Sequence, residues 1–198
     1  MNIERDQISE DILKSIVFGL TGKNASGKGT VAEILKKKNF TYHSLSDSLR
    51  DELKSLKKEE TRENLIDIGN KLRQKGGPGV LADKLIPKLN SENNHIVDSI
   101  RNPLEVISLR KETLLRRFFL ISVDANSRLR YDRLCSRGRI GDTDSWEKFV
   151  EQEKKEENND DPNKQQLSRT MEMADYSIDN SGTLEDLEAQ VNRIISSL

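Results

Sequence analysis

Four short stretches of this chain hold residues whose types and spacing suit chemistry on phosphate groups. The first is GLTGKNASGKGT (19–30), where Gly22 and Gly27 stand four residues apart and Lys28 follows directly. Glycines so placed let the backbone curl until the N–H groups around Asn24, Ala25, Ser26 and Gly27 converge on phosphate oxygens. A helix starting just after them adds the positive end of its dipole. Lys28 brings a full charge to the place where negative charge gathers as the terminal phosphoryl group leaves ATP. Many such loops put a hydroxyl directly after the lysine, as a magnesium ligand. Here Gly29 stands in that place and Thr30 follows. The expectation is that Thr30 donates to a phosphate, while Mg2+ is held mainly by nucleotide oxygens and water.

The other three stretches carry acids and arginines. YHSLSDSLRDEL (42–53) holds Asp47 and Arg50, VDSIRNP (97–103) holds Asp98 and Arg101, and SRLRYDRLCSRGR (127–139) holds Arg133 and Arg137, four apart on one helical face. An acceptor that already carries a phosphate is dianionic, so transfer to it needs cations between two phosphates, and arginine forks suit that task. A hydroxyl acceptor needs a carboxylate base instead, and Asp47 is the candidate. Taken singly, each arginine also reads as a solvated surface group, and the 127–139 helix as an exposed one balanced by Asp124 and Asp132. An RNA-binding stripe is a third reading. Against it stands the run after it, with six acids against two lysines in 151–161. His43, His95 and Cys135 are too few and too scattered for a metal site.

These residues need elements to position them. The apolar runs 15–21, 40–45, 95–100, 117–124 and 175–180 read as strands. Helical patterns occupy GTVAEILKKK (29–38), then 47–57, about 61–75, about 79–89, the segment opened by Pro103, the arginine helix and the C-terminal TLEDLEAQVNRIISSL. Alternation of strand and helix predicts an α/β domain with a five-stranded parallel sheet covered on both faces. Ligands then gather at the carboxyl ends of the strands, where the phosphate loop, Asp47, Asp98 and Asp124 all fall. The polar segment of about 137–170 predicts one or two solvated helices outside the sheet, a small lid, or else a disordered insertion. Trp146 and Phe149 would anchor that lid.

The 198 residues suit one domain spanning 1–198, with 46–90 as an acceptor-binding lobe. A formal net charge of −1 gives no support to general nucleic-acid binding, and no apolar run reaches the roughly 20 residues of a membrane helix. With one cysteine, the expectation is a soluble, cytoplasmic protein with a small-molecule partner.

The GKGT ending of the loop resembles that of the adenylate kinase group of nucleoside monophosphate kinases, and SDSLRDEL and VDSIRNP resemble that group's acceptor segments. The resemblance implies that Arg50 and Arg101 bind the acceptor phosphate, with Arg62 and Arg73 nearby. It implies that Asp98 stands near the water shell of magnesium. Arg133 and Arg137, with Arg139 as neighbour, would clamp adenine and phosphates from a lid. Both ends of the chain also resemble dephospho-coenzyme A kinase; by that likeness Asn180 and Ser181 line the adenine pocket. The overall pattern, across about residues 15 to 195, is similar to a group of predicted nucleotide kinases, related to a kinase-like domain found before some deoxycytidylate deaminases. Together these resemblances imply a three-layer P-loop kinase fold and ATP-dependent transfer to a nucleoside or deoxynucleoside monophosphate. The alternatives are transfer to the hydroxyl of dephospho-coenzyme A, or a nucleotide-sensing module without turnover.

Overall fold

The computed structural model describes residues 15–90, 92–112, 117–138, 142, 145–157 and 159–198. Five parallel strands, β1 (Ile16–Thr21), β2 (Phe40–Ser44), β3 (Asn94–Ile100), β4 (Arg117–Asp124) and β5 (Tyr176–Asp179), form one sheet in the order β2-β3-β1-β4-β5. Alternation along β1 sends Val17 into one core and Phe18 and Leu20 into another, so both sheet faces are covered. Helices α1 (Lys28–Lys36) and α9 (Leu184–Ser196) cover the Phe18 face through Val31, Leu35, Leu187 and Val191. On the Val17 face lie α2 (Asp47–Ser55), α3 (Arg62–Gly76), α4 (Val80–Leu85) and α5 (Pro103–Glu112), through Leu49, Leu53, Ile68, Leu81 and Leu109.

The remaining helices are α6 (Ser127–Arg137), α7 (Trp146–Glu157) and α8 (Leu167–Glu172). Side chains end several of these elements where the sequence supplies caps. Asn126 accepts from the Arg128 N–H at the start of α6, and Thr183 and Asp186 form a reciprocal capping box on α9. At α2 the N-cap is Ser46. Asp47 is the first helical residue.

The described part of the 137–170 segment is fastened to the body through the two aromatics read as its anchors. Trp146 and Phe149 pack with Tyr131 of α6, ring centroids 5.4 to 5.6 Å apart, and Arg128 lies over the rings of Tyr131 and Trp146. Phe149 is fully buried. Residues 139–141, 143, 144 and 158 of that segment, and residues 1–14, lie outside the described residues, as does the neighbour role read for Arg139. No helix among the described residues is long and apolar enough to cross a membrane.

Candidate active site

The phosphate loop connects β1 to α1, and its shape depends on two glycines. Gly22 adopts a φ of +140°, and a Cβ there would fall 2.0 Å from the Val123 carbonyl oxygen. Gly27 adopts +100°, with a Cβ position 2.0 Å from Asn180 Nδ2. Only glycine fits either place. Asn180 Nδ2 donates to the Ser26 carbonyl at 2.9 Å, so the end of β5 holds the loop from beneath. Lys28 Nζ donates to the carbonyls of Gly22 (2.7 Å) and Lys23 (2.8 Å), arching back over its own loop. The buried hydroxyl of Ser26 has no hydrogen-bond partner among the described residues. A Cβ at Gly29 would meet no protein atom within 4 Å. These features leave the inner surface of the loop open to a ligand with oxygens.

A cleft of about 860 Å³ opens above the loop at the carboxyl ends of β1 and β3, the place expected for ligands in such a sheet. Its far wall depends on a bulge in β3. Gly19 pairs with Val97 but Thr21 pairs with Ile100, so two steps of β1 oppose three of β3. The extra residue falls at Ser99, which takes a left-handed φ of +68°. A non-glycine residue in that region is strained, and bulges recur beside sites because they re-aim side chains. Asp98 and Arg101, either side of the bulge, both line the cleft. The Asp98 carboxylate accepts from Tyr42 Oη at 3.0 Å and from the Ser99 N–H. Burial and that carboxylate push the Tyr42 phenol well above its ordinary range.

Arg101 is joined there by Arg62 at the start of α3. Both donate to one carboxylate, Glu156 of α7. Arg62 gives Nε (2.9 Å) and Nη2 (2.7 Å to Oε2), and Arg101 gives Nη1 (3.1 Å). Burial opposes ionisation of Glu156, but Arg62 and Arg101 outweigh it and hold the carboxyl below its usual range. Burial, then the nearby Arg101 charge, lower Lys28 to about 7, with Asp98 pulling the other way. A lysine in that balance gains a full proton when further negative charge arrives.

Arg50 and the lid arginines complete the rim. Arg50 lines the cleft, held by Glu60 (2.6 Å) and Asp47 (3.0 Å). Arg133 Nη2 donates to the Asn180 carbonyl (2.9 Å), and its Nη1 is buried without a partner. Arg137 bridges the Asn24 side chain (3.0 Å) and Asp142 (2.7 Å). The wall is strongly cationic: Lys28, Arg50, Arg62, Arg101, Arg133 and Arg137 face it, against Glu60, Asp98 and Asp142, among the described residues.

Thirteen residues singled out in the sequence therefore meet on one cleft: Asn24 to Thr30, Arg50, Arg62, Asp98, Arg101, Arg133 and Arg137. Gly22, Arg73, Asp47, Asn180 and Ser181 do not line it. Gly22 shapes the loop from behind. Arg73, read as an acceptor ligand, is buried and donates through Nε (3.1 Å) and Nη2 (2.8 Å) to the fully buried Glu105, so its charge is spent on joining α3 to α5. Asp47 is exposed and pairs with Arg50, so the base read for a hydroxyl acceptor is off the cleft. Asn180 lies beneath the loop rather than in a base pocket. Glu156 and Tyr42 were missed. Glu156 sits in a run of acids that reads as solvated, and the helical spacing Phe149, Gln152, Glu156, with an aromatic anchor at its start, was the available signal.

Comparison with known proteins agrees with this architecture. A family profile described as an AAA domain matches residues 19–160. The UPF0200 protein of Pyrococcus furiosus is 32% identical over 187 residues, covering 92% of this chain and 97% of its own. Among solved structures, a gluconokinase from Sinorhizobium meliloti superposes with a TM-score of 0.53 at 16% identity, covering 92% of this chain and 94% of its own. A shikimate kinase from Aquifex aeolicus gives 0.54 at 12% identity, covering 91% and 96%. These two similarities show a shared P-loop kinase fold.

Proposed function

The chain belongs to the AAA domain family and to the UPF0200 proteins, and from that premise we propose that it transfers the terminal phosphoryl group of ATP to the phosphate of a small nucleotide, a nucleoside or deoxynucleoside monophosphate. One observation carries this reading. The phosphate loop and a second set of cations from other elements, Arg50, Arg62 and Arg101, line one cleft. A single nucleotide triphosphate needs the first set. A second set suits a second anion, brought end-on to the first.

In this reading the loop N–H groups and Lys28 bind the donor phosphates, and Lys28 takes up charge as the bridging oxygen leaves. Arg101 offers to the acceptor phosphate its Nε–Nη2 edge, which has no hydrogen-bond partner among the described residues. Arg133 and Arg137 spread charge over the equatorial oxygens of the moving phosphoryl group, and α6 with α7 excludes water that would otherwise accept it. A phosphate acceptor is already ionised and needs no base, in keeping with Asp47 lying off the cleft. The donor set fits magnesium as a companion of ATP. Asp98, one of three carboxylates lining the cleft among the described residues, would stand at magnesium's water shell, and magnesium would supply charge neutralisation between the two anions.

The test is release of ADP from Mg-ATP in the presence of nucleoside and deoxynucleoside monophosphates and of dephospho-coenzyme A. Release with at least one monophosphate is expected. Release with dephospho-coenzyme A alone would move the reading to a hydroxyl acceptor, and none with any acceptor would favour a nucleotide-sensing module.

A further inference from the structure

Three carboxylates of α7, Glu153 with Glu156 and Glu157 three and four residues on, each pair with a cation, and the partners of Glu156 line the cleft. Glu153 pairs with Arg130, Glu156 with Arg62 and Arg101, and Glu157 with Lys23 of the phosphate loop (2.7 Å). Glu156 is the buried member, 4% exposed. It takes the Nε–Nη2 edge of Arg62, which is the edge that binds a phosphate bidentately. Two largely buried guanidiniums beside each other need a counter-charge, and one carboxylate leaves the pair with a net charge of about +1. A phosphate dianion in its place leaves none. A monoanion would exchange like for like, and a neutral acceptor would bring nothing.

We propose that Glu156 is a specificity-determining residue of the acceptor site: an internal counter-ion that a phosphate dianion displaces from Arg62 and Arg101, and that a neutral or singly charged acceptor leaves in place. The proposal rests on the reading of Arg62 and Arg101 as acceptor ligands. A displaced carboxylate has room to move. Glu156 also lines a second pocket of about 440 Å³, whose charged lining is Arg62, Lys155 and Lys164 with Glu63 and Asp67. The arrangement differs from a carboxylate that merely holds arginines in position. Glu156 competes for the donors a phosphate would use, so its removal strengthens anion binding instead of weakening it.

Calorimetric titration of inorganic phosphate into the full chain tests this, with saturating Mg-ADP filling the phosphate loop. Glu156→Gln is expected to bind phosphate about tenfold more tightly than the wild type. Glu156→Asp, which keeps the charge but shortens its reach, should shift in the same direction by less. The preference for phosphate over acetate, read by competition, should narrow in Glu156→Gln. Phosphate affinity in Glu156→Gln at or below the wild-type value, or an unchanged preference, overturns the proposal. If that variant does not fold, Glu156→Asp decides by the same criterion. The titration involves no turnover. Absence of ADP release with every acceptor would therefore sink the kinase reading and leave this result standing.

Discussion

The two walls of the cleft are held by different forces. The loop wall is built from backbone. Its bends come from Gly22 and Gly27, its lysine reaches carbonyls five and six residues back, and one amide, Asn180, supports it from below. The arginine wall is built from charged side chains that meet over long sequence separations. Arg62 and Arg101 reach Glu156 across 94 and 55 residues, and Arg73 reaches Glu105 across 32. A backbone cradle keeps its shape whether or not a ligand is present. A cluster of guanidiniums around a buried carboxylate depends on α3, the β3–α5 connection and α7 staying together. The first is suited to a ligand common to many enzymes, the second to selecting one.

Substitutions on the two walls should therefore behave differently. On the loop wall Lys28→Ala should lower kcat for transfer by about a thousandfold, with little change in fold, since it removes charge stabilisation that matters most as the leaving oxygen develops charge. Near-wild-type turnover would detach the loop from the chemistry.

Glu105→Gln should cost about 3–5 kcal/mol of stability, read as a lower Tm, because it leaves Arg73 buried without a counter-charge. Its effect on the two substrates' KM values should be equal. A loss confined to acceptor KM would return Arg73 to the binding surface.

Arg101→Ala should raise acceptor KM about tenfold or more while ATP KM changes by less than about threefold. Equal changes in both would mean that the cleft has one binding wall instead of two.

Stability should also carry the mark of Lys28. Its native pKa of about 7 lies below the ordinary 10.5, so between those values the unfolded chain holds one more proton than the native one. Stability without ligand then rises with pH across that window. Thermal melts at pH 7 and 9 should show this rise for the wild type and less of it for Lys28→Met. An identical slope in both would remove Lys28 as its source.

At the small end, Asp47→Ala should shift stability by no more than about 0.5 kcal/mol and acceptor KM by less than about twofold, since Asp47 is an exposed partner of Arg50.

The same contrast explains what the sequence disclosed. The order of strands and helices, the phosphate loop and the arginine helix are written in short-range patterns: apolar runs, glycine spacing and caps. Asp98 and Arg101 were legible because they stand at the carboxyl end of a strand, Asp98 within it and Arg101 directly after. Arg73 and Glu156 were not. Nothing local tells an arginine that will be buried against Glu105 from one that will face solvent, and Glu156 stands among acids that do remain exposed, such as Glu151. Ser99 gave no sign either, because a bulge appears only when two strands are set in register.

The claim that two anions meet end-on in this cleft is tested most directly by locating the transferred phosphorus. After incubation with Mg-ATP labelled in the terminal phosphate and an acceptor monophosphate, ³¹P NMR of the product should show that phosphate in a phosphoanhydride, attached to the acceptor's own phosphate. Its appearance as a phosphomonoester on a hydroxyl, or only as free phosphate, would contradict the account.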